Sequence, residues 1–347
     1  MKSLLTTLSI LAITGNLTNV ILNTSSQKIQ FLDNKIQQDT IYIDKDGKQV
    51  KTSEVDLSNI NSKEVIQIGF FQNREGIIQV VKMPVTIEKV SDHLPSEIRS
   101  LKNMFMDARA FNQDISKWNT SNVVDMSYMF SNASSFNQNV SSWNIAHVTN
   151  MSSMFAGAKK FNQDISNWDV VNVTTMHAMF YGALSFNQNL SWNIINVRDM
   201  SSMFYGASLF NGNITNLLYD NNVTNMNNMF RNCLSFNQDI SKWIVNDVTS
   251  MRCMFAGAVA FNQDISKWDT SKVVDMGYMF YKASLFNKDI SKWDTSKVVD
   301  MGYMFYKASL FNKDLSKWNV NEVLWHGWFA KNSGFENDPN KWPKFKN

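Results

Sequence analysis

The sequence predicts a repeat solenoid of mixed α/β class, with one short strand and one short helix in each coil of about 25 residues, standing on a small β-rich N-terminal cap. Three observations carry this expectation. Phe261–Leu285 and Phe286–Leu310 are one segment written twice, differing only at Gln263 against Lys288. Looser copies begin at Phe111, Phe136, Phe161, Phe186, Phe210, Phe236 and Phe311, with a broken one at Phe335. Every copy from Phe111 to Phe286 also carries Met-x-x-Met-Phe at a fixed place, as in Met276, Met279 and Phe280. Self-similarity at such a period is the signature of stacked supersecondary units, each burying its apolar face against its neighbours.

Residues 1–25 read as a signal peptide or signal anchor. A single early Lys2 precedes an apolar run from Leu4 to Ile13, the order of an export signal. Gly15, Asn16 and Asn19 interrupt the run before it reaches the length of a comfortable membrane span. No Cys stands there to accept a lipid, so the expected location is secreted or cell-surface, with membrane attachment only through an uncleaved anchor.

Residues 26–97 lack the repeat and form the cap. Asp46-Gly47 between alternating apolar residues is a hairpin signal. Asn73-Arg74-Glu75-Gly76 separates two further β-branched runs in the same manner, and the last, Ile77 to Lys82, leads into the array.

Residues 98–335 are the array, a half unit followed by nine units. In the copy at Phe261, Met276, Met279, Phe280 and Ala283 fall at i, i+3, i+4 and i+7, an apolar stripe on two turns of helix. Thr270 or Ser271 is positioned to cap its start. Ile265, between Asp264 and Ser266, points inward from a short strand over Phe261–Trp268. Strand, turn and helix in each coil is the leucine-rich-repeat plan. Units are twenty-five residues long, with a deletion before Trp192 and an added residue near Tyr219, where Leu217 replaces the usual Trp. Such slips belong in loops, where chain length costs little.

Two polar rows run through the units. Asn112, Asn137, Asn162, Asn187, Asn211, Asn237, Asn262, Asn287 and Asn312 can bond the backbone of the next coil, because an amide holds donors and an acceptor together. The row from Asp114 to Asp314 alternates Asp with Asn139, Asn189 and Asn213. Carboxylates stacked at about 5 Å repel, so they are solvated, hydrogen-bonded or cation-bound. The spacing lacks the dense Asp/Gly pattern of calcium-binding repeats. At the end of the array Trp325, Trp328 and Phe329 stand for Met-x-x-Met-Phe, with Leu324 for Asp, enlarged side chains suited to closing the core. Residues 336–347 form a polar tail.

The composition excludes several functions. With 33 basic and 30 acidic residues the chain has no basic excess of the kind nucleic acid requires. Sixteen of its 20 Met lie beside Phe at core spacing, which is packing chemistry, not metal or haem ligation. Cys233 takes the place of an Ala in sister units, and Cys253 lies between two Met, so neither implies a disulfide or a metal. His93, His147, His177 and His326 share no repeat position, and no phosphate loop or nucleophile elbow is present. Neither catalysis nor a cofactor is expected. The residues left to act are Lys117, Lys242, Lys267, Lys292 and Lys317, a candidate interaction face on the strand side of the stack.

FNQDISKWDTSKVVDMGYMF resembles the repeat of mycoplasma-type surface proteins, related to the BspA-like leucine-rich repeats, over about Ile98 to Phe335. The resemblance implies a right-handed solenoid on a secreted or membrane-anchored protein that contacts an unidentified host or cell-surface protein or glycan, without catalytic residues. The alternative is a structural or antigenically variable coat with no dedicated ligand.

Overall fold

A computed structural model describes residues 35–219 and 222–346; the signal segment at 1–25 lies outside them. Seven strands precede the array: β1 (Lys35–Gln38), β2 (Thr40–Ile43), β3 (Gln49–Thr52), β4 (Glu64–Gln67), β5 (Phe70–Gln72), β6 (Ile78–Val80) and β7 (Lys89–Val90). They form two sheets, ordered β1-β5-β6 and β3-β2-β4-β7. The β2–β3 hairpin turns at Asp44–Gly47, where Asp44 Oδ1 accepts the N–H groups of Asp46 and Lys48 and Gly47 supplies φ of 78°. Asn73 and Gly76 repeat the device between β5 and β6.

The array departs from the sequence expectation. No coil contains an α-helix; among the described residues the one helical segment is a single 3₁₀ turn at Pro339–Lys341. No helix there is long and apolar enough to cross a membrane. Nor does the predicted strand over Phe261–Trp268 exist. Each coil is instead a chain of tight turns, joined to its neighbours by one parallel backbone bridge. The bridges run without a break from Gln79 of β6 through Ser100, Asp125, Asn150, Thr175, Asp199, Asn225, Ser250, Asp275 and Asp300 to Trp325.

The apolar stripe that mimics a helix has another geometry. Met129 N–H bonds Met126 O, and Ala133 N–H bonds Phe130 O, closing two four-residue turns in tandem. The first and last residues of each turn face inward, so i, i+3, i+4 and i+7 are buried with no helix present. The third residue of each turn has positive φ, 59° at Tyr128 and 59° at Asn132, the requirement of a type II turn. Alternate N–H groups then point along the stack: Met126, Tyr128, Phe130 and Asn132 donate to Asn150, Ser152, Met154 and Ala156 of the next coil. Every second donor is thus satisfied between coils and the rest within turns, so no backbone demand remains for a helix to meet. Two helical turns in isolation would be marginal in any case.

The other assignments change accordingly. Thr270 caps nothing; it is buried, and its hydroxyl donates to Asp294 O in the next coil at 2.8 Å. Ile265 is buried as predicted, but at the head of a turn closed by Trp268 N–H to Ile265 O. The core is two columns of Phe. Phe280 lies 4.0 Å from Phe286 within its coil and 5.5 Å from Phe305 in the next, ring over ring. Beside them runs a Trp row whose indole N–H reaches back one coil, as from Trp268 to Ile240 O at 3.1 Å.

The end of the array closes one residue out of the predicted register. The bridge aligns Trp325 with Asp300, so His326 takes the first Met position and Phe329 the second. Trp325 and Trp328 point outward, 52 % and 54 % exposed. The core is closed instead by Phe329, Phe335, Trp342 and Phe345 in edge-to-face contacts.

Candidate interaction surface

The predicted Lys residues stand at the third position of an Ile-Ser-Lys-Trp turn (Leu-Ser-Lys-Trp in the last coil), not beside a strand. Burial of Ile115 and Trp118 at the turn's ends forces Lys117 outward, and the same holds at Lys242, Lys267, Lys292 and Lys317. All five are exposed. The structure brings together four of them, in consecutive coils. Lys117 stands apart, separated by coils that carry Ser142, Asn167, Ser191 and Asn216 at this position. It lines a hollow of about 530 Å³ with Asp92, His93 and Asp114, where cap and array meet.

The Asp row borders the Lys row. Asp264 Oδ1 accepts the N–H of Ser266 at 2.9 Å. Hydrogen bonds from the Ser266 hydroxyl and N–H, with smaller help from Lys267 and Lys288, hold its carboxyl below the ordinary range. Asp289 and Asp314 follow the same pattern. Each carboxylate is therefore engaged by its own turn, which answers the repulsion that the stacking raises. Among the described residues no group of three His, Cys, Asp or Glu is placed to hold a metal ion.

Sequence reasoning missed a second basic row. Lys288 and Lys313 replace the Gln whose amide elsewhere reaches back to the Asn row, as Gln263 does to Asn237 O at 2.8 Å. With Asp264, Ser266, Asp289 and Lys292, Lys288 lines a hollow of about 240 Å³. The single difference between the twin copies was the signal. The Asn row itself forms a ladder: Asn137 N–H donates to Asn112 Oδ1 at 2.9 Å, and the bond recurs to Asn312.

On another side, Arg252 bonds Asp300 Oδ2 at 2.6 Å, approaches Asp275 at 3.4 Å and lies over the Tyr278 ring at 5.1 Å. Burial pushes the Asp275 carboxyl up, against the pull of the Gly277 N–H and Arg252. The arrangement closest to a catalytic triad is His177, whose Nδ1 lies 2.7 Å from Ser201 Oγ and 4.0 Å from Asp199. Both partners face the same ring nitrogen, so the imidazole cannot pass a proton from one to the other. Burial pushes both cysteine thiols up, away from the reactive thiolate.

A turn-built coil, a one-residue bridge ladder and an exposed ionic face define a repeat protein. The chain belongs to the family described as "Mycoplasma protein of unknown function, DUF285", whose family model matches residues 77–191, 190–276 and 224–342. No curated protein matches it.

Proposed function

We propose that the protein is a non-catalytic interaction module, exported and displayed at the cell surface, that contacts a protein or glycan of a host or neighbouring cell. The observation that supports this reading is the run of exposed ammonium groups at Lys242, Lys267, Lys292 and Lys317, one per coil on a hydrogen-bonded frame. The scaffold fixes the spacing of their backbone positions before binding, so no backbone ordering is required on contact. Resemblance to mycoplasma-type surface repeats points the same way. The test replaces the four Lys with Ser, the residue at position 142, and measures attachment of labelled protein to host cells and matrix. Attachment should drop at least tenfold, and unchanged attachment would remove this face.

A second reading, a coat without a dedicated ligand, is favoured by the twin copies. They agree at exposed positions, such as Lys267 and Lys292, that packing does not constrain, which is what recent duplication leaves behind. Copy number varying freely among isolates would support the coat, whereas fixed coils around Lys242–Lys317 would oppose it.

A further inference from the structure

The last coil breaks the surface pattern of every coil before it. The bridge position carries Asp, Asn, Ser or Thr from Ser100 to Asp300 and then Trp325. Val299 and Tyr303 give way to Leu324 and Trp328. Leu324 is 84 % exposed, beside the two half-exposed indoles, so three large apolar side chains adjoin at one edge of the molecule. A patch of this kind on a soluble surface marks an interaction site.

The patch is held in place. The Trp328 ring stacks on Tyr303 at 6.2 Å and 4°, and meets Tyr306 edge-on at 6.1 Å. Trp325 lies across Gly302 and Gly327; a Cβ on Gly327 would come within 2.7 Å of its ring. This end of the chain is basic, although Lys288, Lys292, Lys313 and Lys317 belong to the rows already described. Residues 282–347 contain 11 Lys and 7 Asp or Glu, a balance of +4, while the whole chain carries +3. The remaining residues are therefore close to neutral, and the excess is concentrated at this end. Phe345 stacks on His326 at 4.2 Å, which brings exposed Lys344 and Lys346 to the coil that bears the patch. Lys346 Nζ bonds Asn321 O at 2.9 Å.

We propose that the C-terminal edge docks on an anionic lipid surface, with Leu324, Trp325 and Trp328 entering the headgroup region and Lys344 and Lys346 meeting acidic headgroups. Indoles favour that boundary because one end is apolar and the other a hydrogen-bond donor. Lys residues close to the membrane add attraction to acidic lipids. The net positive charge of this end disfavours a second copy as occupant and favours an acidic surface. This site is separate from the Lys242–Lys317 face, so either proposal can fail alone.

The experiment uses the full chain and a variant that restores the residues of the preceding coil: Leu324→Val, Trp325→Asp and Trp328→Tyr. Each replacement already fits a coil of this protein, and an unchanged melting curve checks the fold. Residues 1–34 are common to both proteins, so their contribution cancels. Co-sedimentation is measured with phosphatidylcholine vesicles with and without phosphatidylserine. The wild type should bind the phosphatidylserine vesicles at least tenfold more tightly than the variant. The Trp residues of the core row are 4–5 % exposed and Trp342 is partly buried, so the brominated-lipid quenching lost in the variant reports Trp325 and Trp328. Lys344→Ala with Lys346→Ala should weaken binding several-fold and reduce its salt dependence. Equal binding by wild type and variant would overturn the proposal. So would retention on a sulfated polysaccharide without vesicle binding, which would assign the edge to a polyanionic glycan.

Discussion

Replacing Gly182 with Ala separates a turn-built coil from a helical one by the sign of a stability change. In a helix interior Gly→Ala stabilises by about 1 kcal/mol. In this structure Gly182 is the third residue of a turn with φ of 63°, and nothing lies within 4 Å of where a Cβ would stand. Left-handed backbone costs an L-residue about 1–2 kcal/mol. Stiffening of the unfolded chain returns about 0.4–1 kcal/mol. The net is a loss of about 0.5–1 kcal/mol. Gly257 holds the same place with φ of 71°, but there a Cβ would run into the Asn232 side-chain oxygen of the preceding coil. That oxygen ends an exposed side chain that can swing aside, so Gly257→Ala should also lose about 0.5–1 kcal/mol. Guanidinium titrations followed by far-UV circular dichroism give the midpoints. Stabilisation of either Gly182→Ala or Gly257→Ala would refute the turn assignment.

Other perturbations address the ladders. Asn162 Oδ1 accepts from Asn187 N–H and from Gln188 Nε2, each at 2.9 Å, so Asn162→Ala should cost about 2 kcal/mol. Asn162→Asp keeps the acceptor and should cost less; faster amide exchange at Asn187 in the Ala variant alone would show it. Trp268→Phe removes one of the two donors on the Ile240 carbonyl, which keeps the Trp243 N–H, and opens a gap in the Trp row, with an expected loss of about 1–2 kcal/mol in stability by denaturant titration. The carboxyls of Asp164, Asp264 and Asp289 lie below 3.8 in the native state through bonds from Ser N–H and hydroxyl groups. Depressed native pKa values stabilise the fold above the unfolded value, and that contribution disappears as pH falls through the native ones. Melting temperature should therefore drop steeply below about pH 4, and less steeply once these Asp are changed to Asn.

The period, the inward residues and both polar rows were legible because burial and repetition leave direct marks on a sequence. The backbone conformation was not. Met276, Met279, Phe280 and Ala283 satisfy a helix and two tandem turns equally, since each four-residue turn also buries its ends. The decisive mark was present in Gly157, Gly182, Gly206 and Gly257, with Asn132 and Asn232, at one position, the residue choice of a type II turn. Lys282 and Lys307 take that position in the twin copies, where the repeat is clearest and the Gly/Asn preference is absent. The Lys row was readable as exposed, but its break between Lys117 and Lys242 is a fact of stacking order. The terminal Trp pair was read in the wrong register because large apolar residues suggest a core, whereas the bridge to Asp300 turns Trp325 outward.

The unbroken run of bridges from Gln79 to Trp325 also makes the protein a mechanical element. Its inter-coil hydrogen bonds lie along the stack, so tension between the two ends loads the coil interfaces in series. The interface that yields first is the end one, which has a neighbour on one side only. Each coil that peels away releases twenty-five residues, about 85 Å of extended chain, in exchange for about 5 Å of folded length. Under tension such an array lengthens in steps, and the remaining coils keep their surface intact.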